Sequence, residues 1–142
     1  MKLTIEQIDD VIDLMDRAKA EYKDRVPSFN EAAFRGFLEE STWNPKSLVL
    51  VNKDVTAILI LVVMPHPFTF TQVIKDLVWY SETAGAGVRL LKEAKVWIDE
   101  WGDSVFDAYL STSMNDEKVD EMIQRIGLTK IGSQFSFKGV SK

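Results

Sequence analysis

Leu77-Val78-Trp79-Tyr80-Ser81-Glu82-Thr83-Ala84-Gly85-Ala86-Gly87-Val88-Arg89-Leu90-Leu91 is the stretch on which the reading of this chain turns. An apolar and aromatic run with strand character leads through a glycine pair directly into a helical pattern. Glycines at such a turn let the backbone approach a ligand closely, and the first N–H groups of the helix point outward unpaired, which suits the junction to an anion. Gly-x-Gly at a strand-to-helix turn equally serves close packing. The pattern alone leaves both readings open.

Downstream of the junction, Val88, Leu91, Lys95 and Ile98 line one side of a helix, and Leu90, Ala94, Trp97 and Trp101 another, until Gly102 stops it. Residues 105–110 read as a fourth core strand. Ser113 or Asn115 can cap a last helix carrying Val119, Met122, Ile123 and Ile126 at i, i+3, i+4 and i+7, with Gly127 at its end and a final strand region over residues 128–138. Upstream, residues 68–80 read as a strand that begins with the alternation Phe68, Phe70, Gln72. Pro65-His66-Pro67 separates it from residues 55–64, which are nearly all β-branched or aliphatic and predict a central strand buried on both faces. Asn52-Lys53-Asp54 is a turn, and Ser47-Leu48-Val49-Leu50-Val51 a further strand.

Two helices precede this meander. Ile8, Val11, Ile12, Met15, Ala18 and Tyr22 fall at helical spacing, with Asp and Lys between them; Pro27 interrupts the pattern. Ser28 offers a cap, with Glu31 placed to complete a capping box, and Phe34, Phe37 and Leu38 give the second helix its stripe before it ends near Ser41-Thr42. Leu3-Thr4-Ile5 reads as a short first strand. The order is then β-α-α-β-β-β-α-β-α-β, an α+β sheet covered by helices. Val88, Leu91, Ala94, Ile98 and Trp101 are expected to be buried, together with Ile58, Ile60 and Val62.

Composition narrows the chemistry. The 142 residues carry 17 Lys+Arg against 22 Asp+Glu, a formal charge of −5, with 46% hydrophobic and 27% charged residues. This fits one globular domain spanning residues 1–142. The acidic balance argues against nucleic acid as a partner. With no cysteine and one histidine, a disulfide scaffold, a Cys nucleophile and a thiolate or His-rich metal site are excluded, and no metal is expected. The longest apolar run, residues 55–64, falls far short of the roughly 20 residues of a membrane helix. No targeting segment is visible. The expectation is a cytoplasmic protein with no membrane partner.

The order of elements and the glycine loop together resemble the GNAT superfamily, the acetyl-CoA-dependent N-acyltransferases. In that family a strand carries Gln/Arg-x-x-Gly-x-Gly/Ala into a long helix. Gly85 and Gly87 stand at its two glycine positions, Leu90-Leu91 at its paired leucines, Asn115 at the opening of the last helix and Gly127-Leu128 at its close. The resemblance covers nearly the whole chain. The small size and Gly87-Val88-Arg89-Leu90-Leu91, with a Trp following, are similar to short phage-encoded members, which would place the protein in the host cytoplasm or a virion.

The resemblance implies a mixed, mostly antiparallel central sheet with helices on both faces. It implies acetyl-CoA as co-substrate, wedged between the strand ending at Tyr80 and the strand over 105–110. Backbone groups near Val78 and Trp79 would pair with pantetheine. The amides of Gly85, Ala86, Gly87 and Val88 would hold the pyrophosphate, with Arg89 and Asn115 also on the cofactor. An amine of unknown identity would attack the thioester directly, in a monomer or a homodimer, and Trp43 would lie near the acceptor. Two positions depart from the family: Glu82 stands in place of Gln or Arg, and Ile123 stands where many members have a Tyr that protonates the leaving thiolate.

Asp76 is the leading candidate for the base that deprotonates the amine, since it lies on the strand entering the loop; the alternative is an exposed strand residue. Tyr80 or Tyr109 is the candidate for the missing proton donor, the alternative for each being an aromatic of the core or of a strand face. His66, between two prolines, reads as surface polar. Gly87→Glu is expected to abolish acetyl-CoA binding with the fold retained; unfolding would mean that Gly87 serves packing. Glu82 and Ile123 also support a second function, a catalytically inactive scaffold of this fold acting as a binding or structural protein, in a phage particle or against a host protein.

Overall fold

The computed structural model of the chain describes residues 1–21, 30–111, 117–129 and 131. Helix α1, Ile8–Glu21, buries the stripe that its apolar periodicity predicts, including Ile8, Val11, Ile12, Met15 and Ala18. Helix α2 is Glu31–Ser41. Its cap is Asn30 in place of Ser28, because the Asn30 side-chain oxygen accepts the Ala33 N–H at 3.1 Å and satisfies one of the open donors of the first turn. Ser28 and Tyr22 lie outside the described residues. At the other end, the hydroxyls of Ser41 and Thr42 donate to the carbonyls of Leu38 and Glu39 at 2.6 and 2.7 Å, closing the helix ahead of Pro45.

Strands β1 (Ser47–Val51), β2 (Ala57–Pro65) and β3 (Gln72–Ser81) form the antiparallel meander. Strand β4 (Ala108–Tyr109) joins β3 in parallel, which gives, among the described residues, a four-stranded sheet in the order β1-β2-β3-β4. Side chains alternate between the two faces. Val49, Val51, Ile58 and Ile60 pack with Leu3, Val11, Leu14 and Leu38 in one core on the α1–α2 side, where Val78 and Tyr80 join them. The opposite parity, Leu48, Leu50, Leu59 and Leu61, is also fully or nearly fully buried. This face lies under helix α3 (Ala86–Trp101), which packs across β1, β2 and β3. With helices on both faces, the unbroken apolar run of β2 is the expected sequence for a strand with no solvent face. The fold is α+β, with a mostly antiparallel sheet.

Several elements are shorter than their apolar content suggests. The first strand reduces to one bridge, Lys2 to Leu50, and the chain then curls into a 3-10 turn at Ile5–Gln7, where the Gln7 side chain accepts the Thr4 N–H. Val55 is not in β2. It sits in the β1–β2 turn with φ at 51°, a left-handed conformation unfavourable for a β-branched residue, and its side chain is buried. Asn52 holds this turn: its side-chain oxygen accepts the N–H groups of Thr56 and Ala57 at 2.8 and 2.9 Å, and its amide donates to the Thr56 hydroxyl at 2.7 Å.

Phe68 and Phe70 lie in the β2–β3 loop and are fully exposed; the loop closes through the His66 N–H on the Thr71 carbonyl at 2.9 Å. The turn spends its donors locally, with the Phe68 N–H on the His66 Nδ1 at 3.2 Å, and the ladder between β2 and β3 starts only at Pro65 and Gln72. The fourth strand is two residues long, and Phe106 beside it is exposed. On α3 the buried residues are Ala86, Gly87, Leu90, Leu91 and Ala94, whereas Val88, Ile98 and Trp101 are half-buried, as is Val62. Trp97 and Trp101 pack edge-to-face at 6.0 Å near the end of the helix, and Gly102, at φ 50°, stops it.

The chain divides into two units, Met1–Leu110, which holds the sheet and α1 to α3, and Ser111–Lys142. In the second unit, helix α4 (Glu117–Ile126) ends at Gly127, whose φ is 115°. The Gly127 N–H bonds the Gln124 carbonyl at 3.0 Å and the Leu128 N–H the Ile123 carbonyl at 3.4 Å, the paired bonds of a Schellman ending. Ser113, Asn115 and nearly all of the expected strand over 128–138 lie outside the described residues.

Candidate functional site

The candidate site lies along the edge of β3 that faces away from β2. Strands β3 and β4 pair only at Ile74 with Ala108 and at Lys75 with Tyr109. Two bonds anchor the start of β3, from the Phe106 N–H to Gln72 at 2.7 Å and from the Ile74 N–H to Asp107 at 3.0 Å. From Asp76 to Ser81 no strand among the described residues pairs with that side of β3. A register shift opposite Ile60 and Leu61 leaves Leu77 as an extra residue in β3, a bulge that bends the strand and redirects its peptide groups at this point.

Past the bulge, the Glu82 N–H bonds the Thr56 carbonyl of the β1–β2 turn at 2.7 Å. Strand alternation counted back from Glu82 turns the peptide groups of Tyr80 and Val78 toward β2 and those of Trp79 toward the open edge. The two residues expected to face pantetheine therefore differ: Trp79 presents its backbone there, and Val78 spends its backbone on the ladder with Ile60.

The junction after β3 is tightly constructed. The Ser81 hydroxyl donates to the Thr83 carbonyl at 2.6 Å and accepts the Thr83 N–H at 3.2 Å; the Thr83 hydroxyl meets that of Thr56 at 2.7 Å. Gly85, with φ at 79°, takes the left-handed turn that starts α3. The Ala86 N–H is used internally, on the Thr83 carbonyl at 3.2 Å, and the Arg89 N–H closes the first helical bond onto Gly85 at 3.1 Å. Between them, the N–H groups of Gly87 and Val88 meet no acceptor among the described residues. These two donors are what an anion finds at the start of α3.

Gly87 has a second reason to be glycine. It is buried, and a Cβ built on it lies 3.1 Å from the Trp79 indole nitrogen and 3.4 Å from the Ser81 Cβ. The indole N–H donates to the Gly87 carbonyl at 3.0 Å, which ties α3 to the strand on its own face. Close packing and open donors thus coincide in one turn. Arg89 is exposed, and Asn115 lies outside the described residues.

Glu82 does not stand as a bare negative charge beside these donors. Arg17 of α1 grips it with two prongs: Nε donates to Oε2 at 2.9 Å and Nη2 to Oε1 at 3.0 Å. One helical turn along α1, Glu21 accepts the Tyr80 hydroxyl at 2.6 Å. The last turn of α1 is thereby fastened to the end of β3 at two points. Nothing in the sequence tied Arg17 or Glu21 to the loop, since both fall on the polar face of an amphipathic helix some sixty residues away. The hydrogen bond from Arg17 holds the Glu82 carboxyl below its ordinary value, its charge acts in the same direction, and partial desolvation opposes both. A depressed carboxyl favours the fold above the unfolded-state pKa, and that contribution fades as pH falls through the folded value. The pair is exposed, so the effect on stability is small. An NMR titration should find the Glu82 midpoint below the ordinary Glu range, rising to that range in Arg17→Met; an unmoved midpoint would mean the pair does not persist in solution.

The two proposed catalytic residues are not brought together. Asp76 pairs across the ladder with Leu61 and so shares the α3 side of the sheet, where it is partly exposed. Tyr80 pairs with Ile58 on the α1–α2 side. Trp43 is exposed beside a shallow groove of about 150 Å³ lined by Lys2, Asn44, Ser47 and Trp97, at β1, the edge of the sheet opposite β3. Among the described residues no helix is long and apolar enough to cross a membrane, and no group of three His, Asp or Glu is placed to hold a metal ion.

No family model matches the sequence, and no curated protein sequence matches it either. Solved structures do. Glucosamine-6-phosphate N-acetyltransferase from Arabidopsis thaliana superposes with a TM-score of 0.65 at 14% identity, covering 96% of this chain and 94% of that one. An aminoglycoside 6'-N-acetyltransferase from Acinetobacter haemolyticus gives 0.62 at 16% identity, over 96% of this chain and 94% of that one. An aminoglycoside acetyltransferase from an uncultured soil metagenomic sample, solved with sisomicin, gives 0.65 at 12% identity, over 96% and 91%. At these identities the likeness is one of fold: the chain has the GNAT acetyltransferase fold.

Proposed function

We propose that the protein is an N-acetyltransferase that takes acetyl-CoA as co-substrate and transfers the acetyl group to an amine. The observation that carries this reading is the edge of β3 that no strand pairs beyond Lys75 among the described residues, running past a bulge into a helix start where the Gly87 and Val88 N–H groups meet no acceptor among those residues. A strand edge whose Trp79 peptide groups turn away from β2 suits an extended, amide-containing arm such as pantetheine, and the start of α3 suits its phosphates. Acetyl-CoA supplies the activated acyl group; the amine nitrogen forms the new amide bond and the thiol leaves with a proton. On this reading the Trp79 backbone aligns the arm, Gly87 and Val88 hold phosphate oxygens, and Asp76 accepts the amine proton. Tyr80 is the candidate donor to the thiolate. The chain acts as one domain over residues 1–142.

The acceptor class is open between the sugars that the neighbours act on, an amino-sugar phosphate and aminoglycosides, and other primary amines such as polyamines or peptide N-termini. Ile123, where a thiolate-protonating Tyr is common, favours a second reading in which the fold binds acetyl-CoA without transfer. A thermal-shift experiment separates the binding readings from unrelated ones. Acetyl-CoA at about 100 times its Kd should stabilise the fold by roughly 2.7 kcal/mol, and the absence of any shift at millimolar ligand would end both. Release of free thiol with an amine panel then distinguishes enzyme from binder.

A further inference from the structure

The geometry points to Arg17 as a cofactor-phosphate ligand delivered from α1, with Glu82 as the residue that positions it. This rests on the acetyl-CoA reading of the same junction and deepens it. The loop position at which the resemblance to the GNAT superfamily implies Gln or Arg holds a carboxylate here, so a diphosphate approaching the Gly87 and Val88 donors would meet a negative charge at the strand end. The structure answers with a cation from another element. Glu82 engages Nε and one N–H of Nη2 on Arg17. The other donors of the guanidinium, both on Nη1 and the second on Nη2, have no acceptor among the described residues.

Exposure follows the same division. The Glu82 side chain is 27% exposed and that of Arg17 49%, so the cation forms the outer member of the pair. A guanidinium anchored by one edge on a carboxylate keeps its other edge in a fixed direction, which is how arginine binds a phosphate with little further loss of freedom. Glu21 on Tyr80, one turn along, fixes the same stretch of α1 and limits how far Arg17 can swing. Arg17 thus supplies from the helix the charge that loop position 82 does not.

A simpler role is neutralisation: Arg17 cancels Glu82 and touches nothing else. A double-mutant cycle separates the two. Binding of coenzyme A and of pantetheine, which lacks the phosphates, is measured by calorimetry for wild type, Arg17→Met, Glu82→Gln and Arg17→Met/Glu82→Gln, with melting temperatures as the check on folding. Arg17→Met should weaken coenzyme A about tenfold or more and leave pantetheine unchanged. The double variant, with no charge at either position, should remain weak. Recovery of wild-type affinity in the double variant would overturn the assignment and leave neutralisation as the whole role. Equal loss for pantetheine would also overturn it, by placing the defect in the fold or the arm. If wild type binds coenzyme A and Arg17→Met binds it equally well, the inference fails while the acetyl-CoA reading stands. If wild type binds no coenzyme A, both fail together.

Discussion

Gly87→Glu is expected to destabilise the first unit by more than about 3 kcal/mol, through overpacking and a buried charge, and to lower Tm on the order of 10 °C. The sequence predicts a retained fold with lost ligand binding; the structure moves the effect into the core. The Cβ alone would sit 3.1 Å from the Trp79 indole nitrogen, in a buried position with Ser81 close on the other side. Alanine asks Trp79 to give by a few tenths of an ångström, and regains part of that through helix propensity. Glutamate must drive a carboxylate through the same gap and break the indole bond to the Gly87 carbonyl. Circular dichroism melts of wild type, Gly87→Ala and Gly87→Glu check this. A glutamate variant that melts like wild type would show that Trp79 moves aside freely, and would return Gly87 to a purely ligand-binding role.

The second large effect is chemical. If Asp76 accepts the amine proton, Asp76→Asn keeps the side-chain shape and removes the base. We expect kcat/KM to fall at least about tenfold, toward the 10²-fold lower end of general-base effects, with acetyl-CoA affinity little changed. In wild type the rate should rise with pH through the pKa of the acceptor or its base, because only the neutral amine attacks, and Asp76→Asn should flatten the part of the rise due to the base. Because Asp76 and Tyr80 face opposite sides of the sheet, Tyr80→Phe is the informative companion. If Tyr80→Phe costs more than Asp76→Asn, proton handling belongs to the α1–α2 side, where Glu21 accepts the Tyr80 hydroxyl. An unchanged rate in Asp76→Asn removes that residue from the mechanism.

Much of the architecture was legible one residue after another. The run Ser47–Val51 is a strand with all five residues buried, as its unbroken apolar content requires. Alpha-helical periodicity located α1, α2 and α3, and Gly102 and Gly127 ended helices where glycine alone accepts the backbone. These are local decisions: the period of the side chains sets which face is buried, and a turn needs only the residues that make it. The glycine junction after β3 was legible for the same reason, since Gly85 is required by its own φ of 79°.

What the sequence left undecided depends on partners distant along the chain. That Gly87 serves packing, whatever it does for a ligand, is shown by Trp79, which reaches it only because β3 and α3 lie against each other. Val55 looks like a strand residue by composition; the Asn52 side chain, which accepts the N–H groups of Thr56 and Ala57 and donates to the Thr56 hydroxyl, binds it into a left-handed turn instead. Phe68 and Phe70 have strand propensity, but no strand among the described residues pairs with them, and propensity without a partner does not make a ladder. Glu82 reads from the sequence as a charge in the wrong place. Its meaning lies in Arg17, which tertiary packing alone brings to within 3 Å of it, because an ion pair has no period and leaves no pattern in the chain.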